Sequence, residues 1–131
     1  MDEHLALERF CYLTTRGRRS GAPRRIEIWF AAGRTAPATV YLLAGGRERA
    51  GWVRNLRADP RVQVEIGGRR SAGTARVLAG GPEEAEARQR VYEKYRADDD
   101  LDEWRDTALP VAIDLDRDAS GGLTPLPSRR P

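Results

Sequence analysis

Residues 12–30 read YLTTRGRRSGAPRRIEIWF, and the rest of the chain is organised around them. Five arginines, Arg16, Arg18, Arg19, Arg24 and Arg25, fall within ten positions, interleaved with Gly17, Ser20, Gly21 and Pro23 where a chain would reverse. Glycine and proline supply turn geometry, a serine hydroxyl bonds locally to the backbone, and each arginine offers a planar fork that matches phosphate or carboxylate oxygens. Both flanks carry strand patterns. CYLTT is rich in β-favouring residues, and RIEIWF alternates Ile26, Ile28 and Phe30 with Glu27 and Trp29. This alternation puts the first three on a core face and turns Trp29 to the other, where it meets a ligand, a partner or an edge strand. The stretch therefore predicts a hairpin presenting guanidinium and N–H groups, and composition alone fits an anion site or a solvated basic face equally.

Downstream, AAGRTAPAT reads as a loop and TVYLLA as a third strand ending at Gly45 and Gly46. Three strands in succession predict a meander. Residues 44–60, AGGRERAGWVRNLRADP, predict an amphipathic helix from about Ala50 to Asp59 and Pro60. Trp52 and Leu56 share one face with Val53 beside them, and Arg54, Asn55 and Arg57 point elsewhere. A strand, paired glycines and a helix N-terminus form a second place where an anion could sit. Neither G-x-G-x-x-G nor G-x-x-x-x-G-K-[ST] occurs, which argues against Rossmann and P-loop folds. RVQVEIGGRRSAGTARVL predicts a hairpin about Gly67 and Gly68. GGPEEAEARQRVYEKYR predicts the longest helix, with Pro82 and glutamates at its start and Ala85, Val91, Tyr92 and Tyr95 on its apolar side. ADDDLDEWRDTA reads as a loop or short helix carrying Trp104, and ALPVAIDLD as the closing strand.

At 131 residues the chain suits one domain, residues 1–118, followed by a tail, 119–131, expected to be disordered. No apolar run is long enough to span a bilayer, and the acidic opening MDEH is unlike a signal peptide, so a cytoplasmic protein is expected. The net charge of +3 hides an asymmetry: residues 1–76 hold 15 arginines against 7 acidic residues, and residues 77–131 hold 8 basic against 13 acidic. Anion-binding potential is concentrated in the first part. The lone Cys11 reads as a buried filler, and the lone His4 supports neither a Ser-His-Asp triad nor a histidine metal site, so no metal is expected. The acidic run at 98–100 lacks the spacing and glycine of a calcium loop. No aromatic residues interleave with the basic turn as a stacking platform, so nucleic acid is not the expected partner despite a pI near 9.5.

TTRGRRSGAPRRIEIWF followed by LLAGGRERAGWVRNLRADPRVQVEIGG resembles the deazaflavin-dependent nitroreductase family, a branch of the flavin-binding split β-barrel superfamily that includes pyridoxamine phosphate oxidases. Two motifs carry the likeness, TT-x-GR-[KR]-[ST]-G-x-x-R and W-x-x-NL-[RK]-A-x-P-x-V, at comparable spacing, and it covers roughly residues 8–116. The resemblance implies a mainly β, α+β split barrel, with a short helix after the third strand and a longer one before the last. It also implies bound coenzyme F420, whose phosphate and glutamate tail carry negative charge. By motif position Arg18, Arg19, Ser20 and Arg24 would hold that charge, and Trp52 and Asn55 would flank the cleft. Gly45, Gly46 and Arg47 would lie beside them. The implied activity is hydride transfer to a small organic acceptor such as a quinone, a nitro compound or an activated alkene. No catalytic acid is required; Trp29 and Trp104, with Tyr92 and Tyr95, are candidates for an aromatic acceptor wall, and the tyrosines equally suit packing of their own helix. The alternatives are an FMN-binding oxidoreductase of the same fold and a non-catalytic binder of cofactor, heme or lipid-like anion. A homodimer is allowed, since split barrels often complete their cleft across a dimer.

Overall fold

The computed structural model describes residues 3–35, 38–97 and 99–116; the expected tail, 119–131, lies outside them. After a single helical turn, α1 (Glu3–Ala6), the chain enters β1 (Cys11–Arg16), turns, and returns as β2 (Pro23–Ile28). A two-residue β3 (Ala31–Ala32) and β4 (Thr39–Ala44) follow. A 3-10 turn (Arg47–Arg49) and α2 (Gly51–Ala58) lead to β5 (Arg61–Ile66) and β6 (Arg69–Val77). The longest helix, α3 (Gly81–Tyr95), and a short α4 (Asp102–Thr107) precede β7 (Leu109–Leu115). The strands form one sheet in the order β2-β1-β5-β6-β7-β4-β3, with every pairing antiparallel. This is the split-barrel architecture expected.

The meander is not what forms. Strands β1 and β2 make a hairpin at one edge, but β4 crosses to the far side and pairs with β7 and β3. Burial explains why: all six residues of β4 are buried, so neither face can look to water. Val40 and Leu42 face the barrel interior with Cys11, Leu13, Phe30, Val62, Val64, Val111 and Ile113. Tyr41 and Leu43 face outward and are covered by Ala87, Val91 and Tyr95 of α3. A strand covered on both faces reads as a continuous apolar run.

Helix α3 carries its buried face at the four-residue interval Ala87, Val91, Tyr95, while Ala85, expected on the apolar side, is exposed. Pro82 in its first turn lacks only an N–H that a helix start leaves unpaired. In the β5–β6 hairpin Gly67 and Gly68 have φ of +56° and +80°, which β-carbon-bearing residues adopt poorly. Burial pushes the Cys11 thiol up to about 12, consistent with a filler. No helix among the described residues is long and apolar enough to cross a membrane.

Candidate functional site

The β1–β2 connection is a built turn. The Gly17 N–H donates to Ala22 O at 2.8 Å, Gly21 N–H donates to Gly17 O at 2.8 Å, and Ala22 N–H donates to Ser20 Oγ at 3.1 Å. A bond from Gly21 back to Gly17 closes one helical turn, in which the intervening N–H groups have no acceptor within the turn. Glycine is needed at both ends: Gly21 has φ +75°, and a β-carbon on Gly17 would stand 3.0 Å from Ala22 O. That same position lies 3.6 Å from Arg24 Nε, so the Arg24 side chain folds back over the turn.

The five arginines divide by partner. Arg16 pairs with Asp59 at 3.2 Å. Arg25 pairs with Glu65 at 3.5 Å and lies 4.0 Å from the Tyr12 ring centroid. Arg18 is hydrogen-bonded to Asn55. Among the described residues Arg19 and Arg24 have no carboxylate partner. Gly17, Arg18, Arg19, Ser20, Arg24 and Asn55 line a cavity of about 270 Å3. Unneutralised guanidinium groups, a serine hydroxyl and turn N–H groups on one small concavity are the donor set for a phosphate or carboxylate. A groove of about 710 Å3 lies elsewhere, along Arg34, Thr35 and the outer side of α3, but Glu83, Glu86 and Glu93 on its walls oppose an anionic ligand.

Helix α2 sets one wall. Trp52 is half-buried between the barrel core and a small cluster of Ala44, Val53 and Leu109. Asn55 does not sit on the polar side where periodicity put it. Only 5% exposed, it faces β1: its Oδ1 accepts from the Arg18 N–H at 3.2 Å and from Arg18 Nη1 at 2.9 Å, and its Nδ2 donates to Thr15 Oγ1 at 3.1 Å. A buried amide is tolerated when both of its ends are hydrogen-bonded, and here they are. Thr15, 2% exposed, went unnoticed in the sequence, although it follows Cys11 and Leu13 at strand spacing and so points inward, where a hydroxyl needs a partner.

The remaining candidates gather at a second place, the other end of α2. A β-carbon on Gly45 would lie 3.4 Å from Trp104 Nε1, and one on Gly46 3.4 Å from Ala50 Cβ. Arg47 donates from Nη1 to Thr107 O and pairs through Nε with Glu48 at 3.3 Å; its φ of 51° is the only positive value at a non-glycine among the described residues. Trp104 meets Trp29 edge to face at 5.8 Å, and Trp29 stacks on Tyr95 at 4.2 Å with the rings 2° from parallel. Neither Trp29 nor Trp104 lines the cavity at the basic turn. The Tyr95 hydroxyl is committed: it accepts the Phe30 N–H at 3.0 Å and lies 2.7 Å from Arg9 O, and burial pushes it up to about 12. Tyr92 donates to Asp102 Oδ1 at 2.8 Å, which raises its phenol. Among the described residues no cluster of His, Cys, Asp and Glu could hold a metal ion.

Known proteins share this fold. A family model described as F420H(2)-dependent quinone reductase matches residues 3–116. A solved F420-H2 dependent reductase, FDR-A, superposes with a TM-score of 0.65 at 24% identity, over 82% of this chain and 94% of its own. A Listeria innocua protein described as a pyridoxamine 5'-phosphate oxidase superposes with a TM-score of 0.64 at 14% identity, over 86% of this chain and 88% of its own. Another structure, described as a domain-swapped dimer, is 25% identical, with a TM-score of 0.65 over 82% of this chain and 80% of its own. The likeness to the oxidase is one of fold. The donor set at the basic turn fits the anionic end of a deazaflavin, the cofactor that the matched family uses. With a match spanning nearly every described residue, the chain belongs to the F420H2-dependent quinone reductase family.

Proposed function

We propose that the chain is an oxidoreductase that carries hydride from reduced F420 to a small organic acceptor, a quinone, nitro compound or activated alkene, in the cytoplasm. The observation that carries this reading is the cavity at the basic turn, where Arg19 and Arg24 have no carboxylate partner among the described residues. When bound, the reduced deazaflavin supplies the hydride. The protein's share is binding, orientation and exclusion of water. Arg18, Arg19, Ser20 and Arg24 would anchor the phosphate and acidic tail, and the half-buried Trp52 would stand one helical turn from Asn55, along the wall that leads away from the anchor. Trp29 and Trp104 are proposed to wall the acceptor side, with Gly45, Gly46 and Arg47 next to them. A fixed anchor matters because hydride transfer needs donor and acceptor atoms within about 3–3.5 Å. No side-chain acid is assigned, since the described tyrosine hydroxyls near Trp29 and Trp104 are engaged. A homodimer is part of the same reading, supported by the relative described as a domain-swapped dimer.

The test is a fluorescence titration comparing oxidised F420 with FMN at moderate salt, followed by anaerobic turnover with a naphthoquinone, a nitroimidazole and an activated enone. Selective F420 binding with turnover of any acceptor is expected. Preference for FMN would move the chain to the flavin-using branch of the fold, and F420 binding with no turnover of any acceptor would make it a carrier.

A further inference from the structure

We infer that Asn55 is a positioning residue: its neutral amide, anchored on Thr15, fixes the Arg18 guanidinium from inside the fold without cancelling its charge. The inference rests on reading the basic turn as the cofactor's anion site. Family motif position alone would make Asn55 a ligand-contacting residue, but the geometry gives it another task. Its oxygen already accepts two Arg18 N–H groups, one from the backbone and one from the guanidinium, at 3.2 and 2.9 Å. Its amide nitrogen is engaged by Thr15 Oγ1 at 3.1 Å. The two Arg18 donors require an acceptor on that side, so the network itself fixes which end of the amide is oxygen. Thr15 is 2% exposed and does not line the cavity, and its hydroxyl reaches the site through its bond to Asn55.

The neutrality of residue 55 follows from the surrounding charges. Arg16 is matched by Asp59 and Arg25 by Glu65, so the anion-binding charge rests on Arg18, Arg19 and Arg24. An aspartate at 55 is the same size as asparagine and would accept the same two bonds more strongly. It would be the better latch and the worse site, because a carboxylate against Arg18 neutralises one of three positive charges. An alanine would leave Arg18 free to sample rotamers, so that ligand binding would have to order it.

Four variants and two readouts test this. The first readout is fluorescence titration with oxidised F420 over a range of salt concentrations. Thr15→Val, nearly isosteric and at a side chain that does not line the cavity, should weaken affinity severalfold, and Thr15→Ser, which keeps the hydroxyl, should restore it. Asn55→Asp should weaken affinity about tenfold or more, with a shallower salt dependence, while its melting temperature holds or rises. The second readout needs no cofactor: amide hydrogen exchange at Arg18 in the unliganded protein should be slow in wild type and Asn55→Asp, and fast in Asn55→Ala. If wild type does not bind F420, the cofactor reading fails, and the exchange data still judge the latch. Arg18 exchange indifferent to Asn55→Ala, or Thr15→Val affinity equal to wild type, would overturn the inference. So would Asn55→Asp binding F420 as tightly as wild type.

Discussion

Arg76 on β6 closes on Asp114 of β7, with Nε 2.6 Å from Oδ2 and Nη2 3.0 Å from Oδ1. The other edge of the same guanidinium grips Glu83 of α3 at 2.8 and 2.9 Å, so one side chain joins two neighbouring strands to the helix that covers them. Thr39 and Tyr41 of β4 donate to Asp114 and Glu83. Arg76 holds both carboxyl groups below their usual range. A depressed folded pKa contributes stability that is present above the unfolded value and is lost as pH falls through the folded one. Stability should therefore decline on acidification below about pH 4, and Arg76→Met should lower the melting temperature at pH 7 while flattening that acid limb. These side chains are each 35–45% exposed, so the effect belongs to the surface range, roughly 0.5–1 kcal/mol. Thermal melts from pH 7 to pH 3 read it, and parallel acid limbs for wild type and variant would remove the network from the explanation.

Gly73 lies in β6 with an ordinary strand backbone, where alanine would usually be the better residue. Here a β-carbon would come within 2.9 Å of both Asp114 O and Ile113 Cγ2. Neither neighbour is the free end of a flexible chain, so Gly73→Ala should destabilise by about 1–3 kcal/mol. A denaturant midpoint at or above that of wild type would show that the strands can part without cost.

Among the arginines of the turn, partner status predicts the binding phenotype. Arg19→Ala and Arg24→Ala should each weaken F420 binding about ten- to a hundredfold and leave the unliganded melting temperature nearly unchanged. Arg25→Ala, whose guanidinium already faces Glu65 and Tyr12, should cost the affinity little. Equal losses at all three positions would mean that only total charge matters.

Tyr95→Phe removes a hydroxyl that accepts the Phe30 N–H in a buried setting. An orphaned buried donor costs about 1–3 kcal/mol, so the variant should unfold earlier while keeping its turnover per folded molecule. Full stability with turnover abolished would make this hydroxyl a proton donor instead.

Much of the local structure was legible because local chemistry dictates it. The basic turn announces itself by Gly17, Gly21 and Pro23, the β5–β6 hairpin by Gly67 and Gly68, and α3 by Pro82 with its following glutamates. What could not be read was which elements meet. The run TVYLLA lacks alternation because both of its faces are buried, so nothing in it names β7 as its partner. Asn55 misleads for a related reason: periodicity counts an amide as polar and turns it outward, and its inward direction is tolerated because Thr15 and Arg18, far earlier in the chain, satisfy its two ends. The inward spacing of Cys11, Leu13 and Thr15 held that information in half-legible form.

The strand order also has a meaning in time. During synthesis β1 and β2 can pair as soon as they emerge, yet β4, buried along its whole length, has only the two residues of β3 to lean on until β7, the last strand of the described chain, is made. At ordinary translation speeds that delay is on the order of seconds. The nascent chain thus leaves one flank of its most water-averse strand bare until the end, and the basic turn, carried on the opposite flank of the sheet, can do nothing to shorten the wait.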